Sequence, residues 1–306
     1  MSKAKIAIAL STLVATVVWA VPAVGTAHQL LRGKSAFVAS LDPVPLRDDE
    51  EHGLLAKGWI NGAGPFVFAI DTGAGASIIN RRVVDEARLQ VTKSRRPLVG
   101  GLSTSPIVSD QEARITGLAL GKPGNRVSAS VTAAVVASLP RAIDGILDPT
   151  EVFNPLGYSI DLPNRELRAF DTSSRGLNVN QQPLDGAVVR WVREAGNHRP
   201  FVKLGDGRLA LVDTGSALGL ALNDGRSSHR SEGMRVSQDL GGGRVQSRRV
   251  APQTVNIGAL VLNGVPTDVL SGVAPGTPII LGRGALFPFR ITFDPASRLI
   301  AFEPAE

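Results

Sequence analysis

Cysteine is absent from the 306 residues, tyrosine occurs once and methionine twice. Without cysteine the chain has no disulfide framework, no thiol nucleophile and no lipid-modified cysteine. The absence is permissive about compartment. Aromatic residues make up only 5% of the chain, and no basic stripe is interleaved with them, so nucleic acid is not expected as a partner. The four histidines, His28, His52, His198 and His229, show no metal-ligand spacing; no metal and no cofactor are expected. A Gly-x-Ser-x-Gly elbow and a phosphate-binding loop are both missing. Gly73-Ala74-Gly75-Ala76-Ser77-Ile78 looks superficially like a dinucleotide turn. Its sixth position is Ile78, however, and no βαβ alternation surrounds it.

Long apolar runs are also lacking, except near the N-terminus. Lys3 and Lys5 precede an uncharged run over residues 6–24, and small residues follow as far as Ala27. Residues 1–27 therefore read as a signal peptide or an N-terminal membrane anchor, since a run of this length just spans a bilayer. Either way the rest of the chain is expected outside the cytoplasmic membrane, periplasmic or otherwise extracytoplasmic, soluble or tethered through 6–24. The formal net charge is +6, of which Lys3 and Lys5 supply two. Arg95-Arg96 and Arg248-Arg249 are local basic pairs that would favour acidic substrates, or else solvated strand ends.

What the chain does have is a repeat. Asp-Thr-Gly occurs at Asp71-Thr72-Gly73 and again at Asp213-Thr214-Gly215. Each copy ends an apolar run, 66–70 or 209–212, and is followed by a small residue, Ala74 or Ser216. A carboxylate turned out by glycine at the end of a buried strand is an awkward place for a charge unless chemistry uses it. Upstream of each lies a glycine-rich turn placed to join a hairpin, Asn61-Gly62-Ala63-Gly64 and Gly205-Asp206-Gly207. Downstream, Gly100 stands 29 residues after Asp71 and Gly241 stands 28 after Asp213. Leu118 and Leu260 each stand 47 residues after the aspartate of their own half. Both halves close on hairpin-like stretches, 158–170 and 289–302. The chain is duplicated.

Gly and Pro punctuate the chain, and apolar residues come in short runs or alternate, so the fold is expected to be mostly β with short helices only. Residues 81–89 form the one clear amphipathic helical stretch. Residues 171–183, rich in Ser, Asn and Gln, read as a linker. Asp171-Thr172-Ser173 lacks the glycine and belongs to it.

The pattern from about residue 50 onward resembles the aspartic proteases, closest to exported bacterial proteins with two fused retropepsin-like lobes. Residues 279–286 are similar to the retropepsin hydrophobic-Gly-Arg segment before a short helix, although Gly284 replaces the usual Asn or Asp. In the first half the matching segment is Gly145-Ile146-Leu147-Asp148, with Asp148 where glycine is expected. The reading favoured for Asp148 is a cap on a following helix. The resemblance implies two β-barrel lobes, 28–175 and 176–306, and an endopeptidase using Asp71 and Asp213 on a protein or peptide substrate. Thr72 and Thr214 would brace the opposite loop, with Gly73, Ala74, Gly215 and Ser216 as further support. Gly100, Gly101, Gly241 and Gly242 would form flap tips. The Ser216 hydroxyl is expected to donate to Asp213, biasing the shared proton toward Asp71 without fixing it there. A monomer is expected, against an oligomer with sites between molecules. The rival function is a catalytically weak peptide-binding module of the same fold.

Overall fold

The computed structural model describes residues 41–104, 107–127, 130–137, 139–193, 198–223, 234–238 and 244–305. The chain is mostly β, with helices of four to six residues. The first half forms a nine-stranded sheet and the second a seven-stranded one, counted over the described residues.

The two sheets share a core order. In the first, Gly53–Ile60, Ala63–Ile70, Gly145–Leu147 and Ser77–Asn80 lie side by side. In the second, Phe201–Lys203, Leu209–Asp213, Ile279–Gly282 and Leu220–Asn223 do the same. The expected hairpins are present. Ile60 pairs with Ala63 across Asn61 and Gly62, both at positive φ (52° and 85°). That is the left-handed turn that suits the twist of the flanking strands. In both halves the strand bearing the aspartate pairs in parallel with the short strand from later in the sequence. Apolar neighbours on both faces bury Phe68, Ile70, Leu147, Val212 and Leu281 almost completely.

A third sheet joins the halves. Its six strands run in the order Val44–Pro45, Glu166–Phe170, Gly157–Asp161, Phe289–Asp294, Leu299–Pro304 and Ala187–Arg190. The expected closing hairpins form its middle, and Gly157–Asp161 lies antiparallel to Phe289–Asp294, with Tyr158 opposite Phe293. Tyr158 and Phe293 stack at 4.7 Å between ring centroids, and Trp191 meets Phe293 edge-on at 6.0 Å.

The amphipathic stretch at 81–89 is helical only over Arg81–Glu86. Asn80 caps it by accepting from the Val83 N–H, and Arg88 turns out of it at positive φ. Asp171 caps the four-residue helix Thr172–Arg175 through the Ser173 N–H and hydroxyl. Among the described residues no helix is long and apolar enough to cross a membrane. The segment 1–27 lies outside them.

Candidate active site

Asp71 directly follows a buried strand and Asp213 ends one, and their loops meet. Thr72 and Thr214 make the junction. The Thr72 hydroxyl donates to the carbonyl of Val212 at 2.7 Å and accepts from the Thr214 N–H at 3.0 Å. The Thr214 hydroxyl donates to the carbonyl of Ile70 at 3.2 Å and accepts from the Thr72 N–H at 3.2 Å. Both threonines are fully buried. Each hydroxyl satisfies one donor and one acceptor of the other half, so the two loops are fixed as a unit.

The glycines explain the tripeptide. A Cβ on Gly73 would lie 2.6 Å from Cγ of Asp213, and one on Gly215 would lie 2.5 Å from Cγ of Asp71. Each carboxyl thus occupies the space a side chain on the opposite glycine would need. Only glycine permits that approach. Gly73 and Gly215 also donate their N–H groups to Oδ1 of their own half's aspartate, at 2.8 and 2.9 Å.

Burial raises the pKa of both carboxyls, and the charge of Asp213 and its hydrogen bond to Asp71 push Asp71 well up. On Asp213 burial is opposed by the hydrogen bond from Asp71, by the amides of Gly215 and Ser216, and by the charge of Arg199. Two carboxyls this close do not both ionise readily, and the upward push on Asp71 is the less opposed of the two. Among the described residues no bond joins the Ser216 hydroxyl to Asp213, against expectation. The Ser216 hydroxyl accepts from the Leu218 N–H at 3.3 Å, and the Ser216 backbone N–H donates to Asp213 at 3.1 Å. Asp213 therefore receives two amide bonds and Asp71 one. The Ala74 N–H goes to the Asp71 carbonyl at 3.4 Å.

Asp148 caps the helix Pro149–Phe153, as expected, accepting from the Thr150 N–H. Gly282 begins the short helix Arg283–Leu286 without a side-chain cap. Gly284 is tightly packed, since a Cβ there would meet Gly219 and Ala217 backbone atoms at 3.0 and 3.1 Å. Arg283 is buried and reaches Asp48 and the carbonyl of Asp49 in the other half.

Gly100 ends the strand Val91–Gly100, and Gly101 has φ of 108°. The residues after them dock on the second half: the Ala274 N–H donates to the Leu102 carbonyl at 2.9 Å, and Ser103 bridges to Val273. Gly241 and Gly242 lie outside the described residues. Arg248 and Arg249 are within a long strand and not at its end, and Arg249 pairs with the buried Asp268 at 3.0 Å. Arg199, which the motifs did not single out, crosses from the second half so that a Cβ on Gly75 would lie 3.1 Å from its Cγ. Its position just before the second hairpin was the available signal. A cavity of about 1200 Å³ opens on the six-stranded sheet, lined by Asp161, Arg168, Phe170, Arg290 and Glu303 among others. None of its lining residues comes from either aspartate loop.

Residues 56–148 match the aspartyl protease family model, which supports an aspartic protease family for this chain. The match includes Asp71 and Asp148 and stops short of Asp213. No curated protein matches the chain.

Proposed function

We propose that the chain is an aspartic endopeptidase that hydrolyses peptide bonds between its two halves. The observation that carries this reading is the reciprocal fit of each carboxyl into the space left by the opposite glycine. Two buried carboxyls sharing one proton supply an acid and a base at one place. Asp213, the ionised member, takes a proton from a water. Asp71 gives its proton to the oxygen of the scissile carbonyl as the water adds to the carbon. As the C–N bond then breaks, Asp213 gives the proton it took to the leaving amine and Asp71 takes one back from a hydroxyl of the diol, which restores the pair with no covalent intermediate. The hairpin ending at Gly100 and Gly101 serves as a flap over an extended peptide, and Arg199 adds positive charge at the Asp213 side. The run at 6–24 supports an extracytoplasmic location, testable with a reporter fused after Glu306.

Asp71→Asn and Asp213→Asn are each expected to abolish cleavage of a peptide library while leaving the fold intact. The double variant should be little worse than either single one, because residues acting as one unit are not additive. Near-full activity in either single variant would sink the shared-pair mechanism. Peptide binding with no cleavage by the unaltered protein would favour the binding-module reading.

A further inference from the structure

Asp148 stands where the second half has Gly282, and the strand register puts it beside the pair. Asp213 is opposite Gly282 across parallel strands, and Ile70 is opposite Leu147 in the first half. The Asp71 N–H donates to the Leu147 carbonyl at 3.0 Å. Asp71 and Asp148 are thus the next residues on two adjacent strands, which lie about 5 Å apart. Asp148 is 0% exposed. Its Oδ1 accepts from Thr150, and its Oδ2 is buried with no hydrogen-bond partner. Capping uses one oxygen, and Asn or Ser would serve as well. A cap alone does not explain a carboxyl whose second oxygen is left unpaired in the interior.

The groups around Asp148 are mostly acidic. Glu151, on its own helix, accepts from the Ser77 N–H and hydroxyl, both at 2.9 Å, and the Asp148 N–H donates to Ser77 Oγ at 3.2 Å. Tyr158, from the six-stranded sheet, bonds through its Oη to Thr150 Oγ1 at 2.9 Å. Asp71, on the adjoining loop, lies within electrostatic reach of Asp148. A compensating charge acting on Glu151 comes from His198 of the second half. Among the described residues no salt bridge reaches Asp148 or Glu151.

Resting on the aspartic-peptidase reading, we propose that Asp148 is a positioning residue for the shared proton: its negative charge, one strand away, keeps the last proton on Asp71 as the pH rises. Burial and the charge of Glu151 push Asp148 up to about 7. Asp71 lies well above its ordinary value, and the Asp148 charge is one of the causes. On this proposal Asp148 ionises first, because Asp71 also carries the push of Asp213 in direct contact and Asp148 does not. A third carboxyl of this kind lets a pair that needs one proton work further toward neutral pH than two carboxyls alone.

The test is the pH dependence of kcat/KM on one peptide for the unaltered protein, Asp148→Asn and Asp148→Gly. Asparagine keeps the cap and removes the charge, and glycine restores the residue of the second half. Both should move the high-pH limb downward by about one pH unit and leave the acid side in place. A merely structural role would lower activity across the range without moving that limb. Carboxyl-carbon NMR titration of the same proteins needs no substrate. The highest-titrating aspartate should shift down when Asp148 is replaced, and in the unaltered protein its resonance should follow two steps, one of them that of Asp148. A limb and a titration that stay in place, or a single-step titration if the variants do not fold, overturn the proposal. Absence of cleavage by the unaltered protein would count against the peptidase reading alone, with the titration still deciding the coupling.

Discussion

An alanine at Gly73 or Gly215 would set a methyl group 2.6 or 2.5 Å from the carboxyl carbon of the opposite aspartate. Something must shift, and a displacement near 1 Å in a reacting group costs about 100-fold in rate. Gly73→Ala and Gly215→Ala should therefore each lose at least that factor in kcat on a peptide substrate, with near-native circular dichroism. Thr72→Val leaves the Val212 carbonyl and the Thr214 N–H without their partner. Each such buried group costs about 1–3 kcal/mol, so the variant should unfold at markedly lower urea concentration, whereas Thr72→Ser should not. For Asp148 the sign of the pH effect is fixed by its upward shift from 3.8 to about 7. The folded state holds this proton more tightly than the unfolded chain. The resulting stability is fully present below pH 3.8 and is lost as the pH rises through about 7. Relative to Asp148→Asn, the unaltered protein should lose roughly 4 kcal/mol between those limits, read from urea denaturation at pH 4 and pH 8. The aspartates, threonines and glycines of the site were legible because the tripeptide is repeated with matched flanks. The Ser216 hydroxyl was misread because its rotamer answers to Leu218 N–H, a contact that the resemblance did not carry.

The hairpin formed by Val91–Gly100 and Ile107–Ile115 meets the second half through Leu102, Ser103 and Thr104. Leu102 packs on Ala221, Val245, Leu270 and Ile280. Leu102→Ser should release the tip locally, seen as faster amide exchange at Ala274, whose N–H bonds the Leu102 carbonyl. Global stability should fall by about 1 kcal/mol or less, since little apolar area is lost. The hairpin itself was legible from Gly100-Gly101, but its docking site was not, because nothing local encodes a contact with Val273. The same limit applies to Val44–Pro45 and Arg47–Asp49. Residues 41–52 carry prolines and a run of charges without alternation, and they become strands only because Glu166–Phe170 and Gly53–Ile60 offer edges. Arg283 was visible as part of a motif, whereas its partner Asp48 lies 235 positions away in sequence.

At the scale of the whole molecule, the six-stranded sheet places strands from both halves side by side, and the two aspartates of one chain meet. Titration with a statine-type inhibitor should give one molecule bound per chain, with a monomer on sizing. Two chains per inhibitor would point to sites between molecules. Calorimetry should show a single unfolding transition, since Tyr158 of one half and Phe293 of the other share the sheet's centre. The same sheet sets an order on biogenesis. Asp213 is backed by Ile279–Gly282, and the sheet's centre waits for Phe289–Asp294, so the site is not assembled until those strands have been made. A nascent or truncated chain carries both aspartates well before it carries the strands that bring them together. On the proposed reading, hydrolytic capacity appears only once Phe289–Asp294 has been made, about eighty residues after the second aspartate.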